Sequence, residues 1–199
     1  MAIQWPVPLD GHAPAGLAMT WFGSTCTNTE GERVLNKMMT AAIGLAALLA
    51  AGGAAAQDVI RHKIPNSDFP IARAVEIPAG KTTVYVSGAV PPVADPNAAK
   101  NTVAAYGDTK AQTVAVLKSI EKTLKDLGLG LGDVVKMQVF LVGDPAKEGK
   151  LDFAGFMEGY RQFYGTAEQP NLPARSAMQV AALVNPGYLV EIEVTAARP

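Results

Sequence analysis

The chain has 199 residues, of which 49% are hydrophobic and 18% are charged, and its formal net charge is -1. This length and composition are typical of one globular domain with a buried core. Because the charge is balanced, the chain lacks the excess of basic residues that is typical of nucleic-acid-binding proteins. We therefore predict no nucleic-acid partner.

Residues 34–56 have the pattern of a Sec-type signal peptide. Lys37 precedes the apolar run AAIGLAALLAAGG at 41–53, and an Ala-x-Ala exit predicts cleavage after Ala56. A buried alanine-rich helix is the alternative, but the glycines and the missing polar face disfavour it. The run is also short for a membrane span. We therefore predict a periplasmic or secreted protein that has no membrane contact after cleavage.

Residues 1–33 show neither a helical nor a strand period. Because a signal peptide normally starts close to the N-terminus, we predict that 1–33 is a non-native or disordered extension. Val34 and Met38 are the candidate natural starts. Residues 57–199 then form a single domain.

The composition of residues 57–199 excludes several kinds of chemistry. Cys26 lies outside this range, His62 is the only histidine within it, and acidic and basic side chains are equal in number. Disulfides, thiolate nucleophiles, cysteine-rich zinc sites and histidine–carboxylate relays are therefore excluded within one mature chain. We predict that the domain works without a metal or an organic cofactor.

Period-2 and period-3.6 patterns predict an α+β domain in which two helices pack on one face of a mixed sheet. The predicted strands are 72–77, 82–88, 133–143, 174–184 and 188–196, and the predicted helices are 109–127 and 151–164. The apolar stripe expected on the first helix is Val114, Leu117, Ile120, Leu124 and Leu127. An aromatic stripe on the second helix is interpreted as core.

Two of the predicted strands, 174–184 and 188–196, contain charged residues, which are unusual in strands that pack into a core. Arg175 precedes an alternating apolar set, Met178, Val180 and Ala182, which indicates a strand directed into a core. A solvated strand end is the simplest explanation for Arg175. In 188–196, Glu191 and Glu193 share the face opposite to the apolar one, which predicts a mixed face that meets a partner subunit.

Five segments occur in an order and spacing that resemble a known family. They are VYVSGAVP, QTVAVLKSIEKTLKDLGLGLGDVVKMQVFL, FMEGYRQFYG, PARSAMQV and YLVEIEVTA. Together they resemble the reactive intermediate deaminase (Rid) family, also called YjgF, over residues 69–197. The resemblance implies a chorismate-mutase-like fold, a homotrimer and clefts between subunits.

The resemblance also implies roles for individual residues. Arg175 would bind a substrate carboxylate, Glu191 would activate a water molecule, and the backbone of Ser87 and Gly88 would orient the ligand. The implied reaction is the hydrolysis of 2-aminoacrylate-type enamines or 2-imino acids to 2-keto acids and ammonia. A planar guanidinium that holds a carboxylate in bidentate fashion suits this role.

The chain departs from the family pattern at the presumed cleft. Ile71 stands where well-studied members have tyrosine, and Ala177 stands where many have cysteine. Arg73 would supply a second charge there, unless it is an exposed strand residue. These departures keep a second hypothesis open, a non-catalytic periplasmic trimer that binds small carboxylate metabolites. Some relatives are described as endoribonucleases, which the neutral charge disfavours.

A tight hairpin about Pro186 would separate the two main site residues. Glu191 would face Ala181, six residues and about 20 Å from Arg175. Either the last two strands are therefore not hairpin partners, or Arg175 and Glu191 meet across a subunit interface.

Overall fold

The computed structural model describes residues 57–199, which lie in one compact unit. The predictions for 1–33 and 34–56 lie outside the described residues. Within the described range, no helix combines the length and the apolar character that a bilayer span requires.

The domain contains six strands and three helices. The strands are β1 (Ile60–Lys63), β2 (Ala72–Glu76), β3 (Thr83–Ala89), β4 (Val134–Val142), β5 (Ala174–Val180) and β6 (Val190–Ala197). The helices are α1 (Val103–Tyr106), α2 (Thr109–Asp126) and α3 (Phe153–Tyr160). The prediction of an α+β domain with a mixed sheet is confirmed.

All six strands form one sheet in the order β1-β2-β5-β4-β6-β3. β5 is parallel to both of its neighbours, whereas the β1–β2, β4–β6 and β3–β6 pairs are antiparallel. β4 therefore lies between β5 and β6, and the last two strands are not hairpin partners. The central position of β4 explains why its alternate residues are completely buried.

The core lies between one face of the sheet and helices α2 and α3. Helix α2 begins at Asp108, whose side chain accepts a hydrogen bond from the Ala111 N–H. It buries Val116, where the predicted stripe had Val114, and leaves Leu127 42% exposed. The buried stripe differs from the predicted one because the helix packs against α3, β6 and β3 along a band that also buries Thr109, Gln112 and Thr113.

Strand β1 is held to the domain by an arginine. Arg61 donates hydrogen bonds to the carbonyls of Gly132, Val134 and Leu172 at 2.7, 2.9 and 2.8 Å. Burial lowers the pKa of Arg61, an effect that the nearby Tyr164 and Asp133 partly oppose. All three acceptors are backbone groups from the segments beneath β1, so this guanidinium has a structural role.

Several boundaries differ from the sequence prediction. β1 and the four-residue helix α1 were not predicted, because neither segment has a clear period. β5 ends at Val180 rather than at residue 184, and α3 ends at Tyr160 rather than at residue 164. The expectation that the Met178 set enters a core is wrong. Met178 lies on the sheet face without helices and is 40% exposed.

Candidate functional site

Arg175 lies near the start of β5 and points under helix α3. Its register partner on β4 is Met137, which is completely buried on the helix-covered face. The guanidinium carbon lies 4.2 Å from the ring centre of Tyr160, 5.0 Å from that of Phe156 and 5.5 Å from that of Phe69. The explanation of Arg175 as a solvated strand end is therefore wrong.

The polar contacts of Arg175 are few. Nη2 donates to the Met157 thioether sulfur at 3.2 Å, and sulfur is a weak acceptor. Nη1 is buried and has no hydrogen-bond partner among the described residues. No Asp or Glu of residues 57–199 forms an ion pair with Arg175. A buried guanidinium without an anion is a costly arrangement that an anionic ligand would relieve.

The electrostatics around Arg175 reflect this burial. Burial lowers the pKa of Arg175, the Tyr160 side chain partly opposes the shift, and the positive charge of Arg161 adds to it. Burial also raises the pKa of Tyr160 to about 12, so its hydroxyl stays protonated at neutral pH. That hydroxyl donates to the Pro70 carbonyl at 2.9 Å, which fixes the ring below the guanidinium.

Glu191 lies on the opposite face of the sheet. On β6, Val190, Ile192 and Val194 are buried on the helix side, while Glu191 and Glu193 are partly exposed on the other side. The predicted division of this strand into an apolar and an acidic face is confirmed.

A bulge in β3 brings Gly88 against the Glu191 side chain. The β3–β6 register is irregular between Val86 and Ala89. A side-chain carbon built at Gly88 would overlap the Glu191 carboxylate, so a larger residue there would displace the carboxylate from this position. The structure thus brings together Gly88 and Glu191, two of the residues predicted to form the site.

Arg175 and Glu191 do not meet within one chain. Arg175 pairs with Met137 and Glu191 pairs with Phe140, three positions further along β4. Because side chains alternate along a strand, this odd offset places them on opposite faces. Three residues along β4 and two strand spacings also separate their backbones by roughly 14 Å. A small ligand cannot contact both side chains of the same chain.

The other predicted site residues are divided between the two regions. Ser87 lines a hollow on the outer face together with Glu193. Ala177 is exposed two residues after Arg175, and Ile71 lines a cavity that it shares with Phe69. Arg73 is exposed in a shallow hollow with His62, Lys63, Ala74 and Glu76.

Sequence reasoning missed the aromatic surroundings of Arg175. The helical spacing of Phe156 and Tyr160 predicted correctly that both side chains are buried. It contained no information about the guanidinium that stacks on them. That contact depends on which strand passes beneath α3. Phe69 and Met157 carried no signal for a site at all.

The described residues contain no group of three His, Cys, Asp or Glu side chains that could hold a metal ion. Among the predicted site residues, the charged groups are the guanidinium groups of Arg73 and Arg175 and the carboxylate of Glu191.

Comparisons with known proteins match almost all of the described range. The sequence profile of the family described as endoribonuclease L-PSP matches residues 67–198. A RutC family protein of Pyrococcus abyssi is 30% identical over 138 residues, which are 69% of this chain and 94% of that protein. The 2-iminobutanoate/2-iminopropanoate deaminase of Mus musculus is 33% identical over 134 residues, which are 67% of this chain and 85% of that protein.

A solved structure gives the same assignment. The conserved Rid family protein YyfB of Yersinia pestis is 26% identical and superposes with a TM-score of 0.53, covering 72% of this chain and 100% of that one. The profile match, the curated relatives and the shared mixed-sheet fold agree with one another. The chain belongs to the reactive intermediate deaminase (Rid/YjgF) family.

Proposed function

We propose that this protein is an imine deaminase, which hydrolyses 2-imino acids and the enamines that tautomerise to them. The observation that carries the proposal is the buried Arg175 guanidinium, which has an unpaired Nη1 and no acidic partner among residues 57–199. Relatives from mouse and Escherichia coli that bear deaminase names support the same reaction class.

A substrate carboxylate would supply the acceptor that Arg175 lacks. A bidentate guanidinium–carboxylate contact uses two N–H groups at once and fixes the orientation of the ligand. Because Nη1 is buried, the contact requires the guanidinium to rotate outward or Phe69 to move aside. The weak bond to the Met157 sulfur costs little to break.

Glu191 is the proposed proton carrier. The water oxygen bonds to the imine carbon while Glu191 accepts a water proton. The same proton is then delivered to the nitrogen of the tetrahedral intermediate. As the C–N bond breaks, Glu191 accepts the hydroxyl proton of the intermediate and passes it to the departing ammonia. The 2-keto acid and ammonium leave, and the carboxylate returns to its starting state. General acid–base help of this kind contributes about 10²- to 10⁴-fold, which suffices because the protonated imine is already electrophilic. The reaction needs no external oxidant or reductant.

A complete site needs a second copy of the chain. Since Arg175 and Glu191 lie on opposite faces of one sheet, we propose that Arg175 of one subunit and Glu191 of another line the same cleft of a homotrimer. The mixed outer face, where Tyr85 is 81% and Met178 40% exposed, supports this assembly. Sedimentation at several concentrations tests it, and a monomer at all concentrations contradicts it.

A non-catalytic carboxylate-binding trimer is the second candidate. The apolar Ile71 and Ala177 favour it, because they offer no group for proton transfer beside the ligand. The endoribonuclease description of the family profile finds less support, since residues 57–199 carry equal numbers of acidic and basic side chains.

The test is a coupled assay in which 2-iminobutanoate is generated in situ and the release of 2-keto acid is followed. Glu191→Gln should lower the accelerated rate by about 10²-fold or more and leave keto acid binding intact. Glu193→Gln is the matched control, because it removes the neighbouring carboxylate from the same face of the same strand. Equal rates for wild type and Glu191→Gln would favour the binding protein.

Arg175→Met should abolish both turnover and keto acid binding, while the control Arg198→Met should keep both. Unchanged keto acid binding in Arg175→Met would contradict the anchor role.

We also propose that the domain is exported by its signal peptide. N-terminal sequencing of the protein from its natural host should find a chain that begins directly after Ala56. A mature chain that begins before residue 34 would contradict both the proposed start and the cleavage site.

A further inference from the structure

A cavity of about 470 Å³ lies beside the aromatic group that surrounds Arg175. Lys63 and the segment 67–71 form one side of it, and Arg161, Tyr164 and Gly165 form the other. The turn at Gly165 has a φ of 76°, and a side chain there would press on Pro70. The cavity is therefore shaped by a turn that only glycine adopts easily.

The charged groups of this cavity are Lys63, Asp68 and Arg161. Among the described residues, none of the three forms an ion pair. Two cations thus face one carboxylate. Arg161 directly follows Tyr160, on whose ring the Arg175 guanidinium lies, and the positive charge of Arg161 contributes to the lowered pKa of Arg175. An anion bound beside Arg161 would offset this positive charge.

The cavity and Arg175 share their walls. The Phe69 ring, over which Arg175 lies, also lines the cavity. On the other side, Tyr160 stacks on Tyr164 with ring centres 4.9 Å apart, and Tyr164 is a cavity residue. Movement of Phe69, one of the two rearrangements that would let a carboxylate reach Arg175, would join the two spaces.

We propose that this cavity binds a second anionic group of the substrate, so that the preferred substrates are imines of acidic amino acids. The α-carboxylate contacts Arg175, and the side-chain carboxylate lies between Lys63 and Arg161. The two carboxylates of a five-carbon diacid lie roughly 5 Å apart at standard bond lengths, which is short enough for adjoining sites. This inference rests on the deaminase activity proposed above.

Specificity is measured by comparing 2-iminoglutarate with 2-iminobutanoate, each generated in situ by an amino acid oxidase. The wild type should accelerate hydrolysis of the acidic imine about three- to fivefold more, the effect expected of ion pairs with the exposed Lys63 and Arg161 side chains. Arg161→Gln should remove this preference and change the rate on 2-iminobutanoate less than about twofold. Arg198→Gln, which alters an exposed arginine outside the cavity, is the matched control.

Asp68→Asn should change the preference in the opposite direction, because Asp68 is the only carboxylate among the described residues that line the cavity. The preference for the acidic imine should rise by about two- to fivefold. No preference in the wild type, or equal losses on both substrates in Arg161→Gln, would overturn the proposal.

Binding separates failure of this inference from failure of the proposed reaction. Calorimetry with 2-oxoglutarate and 2-oxobutanoate requires no turnover. Tighter binding of 2-oxoglutarate that Arg161→Gln abolishes supports the cavity as an anion site even if no imine is hydrolysed. Equal affinities for the two keto acids overturn it, whether or not 2-iminobutanoate is hydrolysed.

Discussion

Arg61 and Arg175 are both partly buried arginines, but their surroundings differ in kind. Arg61 donates to three backbone carbonyls within 3 Å. Arg175 lies among three aromatic rings and a thioether, and its Nη1 has no acceptor in the described part of the chain. In both cases burial is the main cause of a lowered pKa.

The difference is the reason for interpreting Arg61 as structural and proposing Arg175 as ligand-binding. Hydrogen bonds to carbonyls compensate for the desolvation of Arg61, so it stabilises the fold without further partners. Stacking on aromatic rings compensates for less of this cost, and it leaves Nη1 of Arg175 without an acceptor among the described residues. The proposed ligand carboxylate would supply that acceptor.

Among the variants that test this comparison, Arg61→Met should change the free energy of unfolding the most. It leaves three partly buried carbonyls without a donor and detaches β1, so the free energy of unfolding should fall by about 2–4 kcal/mol. Guanidinium chloride denaturation measures the loss. Arg61→Lys should lose less, because an ammonium group retains some of the bonds but cannot span all three acceptors. A loss below about 1 kcal/mol for Arg61→Met would contradict the structural role.

Alkaline pH should weaken the aromatic platform below Arg175. The pKa of Tyr160 rises from 10.0 to about 12 on folding, so the folded state retains a proton that the unfolded state loses. The resulting stability is fully present below pH 10 and is lost between pH 10 and 12. By linkage, a shift of two units corresponds to about 2–3 kcal/mol.

Denaturation midpoints at pH 8, 10 and 11 test this dependence, with Tyr160→Phe as the comparison. The phenylalanine variant lacks the bond to the Pro70 carbonyl and should start about 1 kcal/mol lower. Its stability should then decrease less steeply above pH 10. Parallel curves for the two proteins would exclude Tyr160 as the titrating group.

Arg175→Met should change stability little, within about 1 kcal/mol of the wild type, because lost stacking and relieved desolvation nearly cancel. The contrast with Arg61→Met is the sharpest test of the comparison, since both variants replace a partly buried arginine with the same side chain. A loss of 3 kcal/mol or more at Arg175 would mean that it too holds the fold together.

Met157→Leu should have the smallest effect on stability, below about 1 kcal/mol, because the two side chains have similar volumes. It removes the sulfur that accepts from Nη2 of Arg175. If that bond competes with a ligand, calorimetry should find keto acid affinity raised about two- to threefold. Weaker binding would indicate that Met157 instead helps to orient the guanidinium.

The sequence predicted those parts of the fold that depend on local patterns. The patterns of 72–77, 82–88, 133–143 and 188–196 gave four correct strands, and the Asp108 cap gave the start of the long helix. Neither strand β1 nor the pairing of β5 with β2 and β4 was predictable in this way. Pairing between segments about 100 residues apart leaves no period in either one.

The site was predictable in its residue types but not in its geometry. The PARS and EIE segments singled out Arg175 and Glu191 through a family resemblance. Their positions on opposite faces follow from a three-residue offset along β4, which is a property of the assembled sheet. The burial of Arg175 likewise depends on α3 passing over β5, so no local spacing could have given it.

The interior position of β6 has a consequence for how the chain folds. β6 comes last of the six strands in the sequence, yet it lies between β4 and β3 and pairs with both. During synthesis β3 can have no sheet partner until residues 190–197 have left the ribosome. Such non-local pairing slows folding, and the sheet cannot be completed until the last strand has been synthesised.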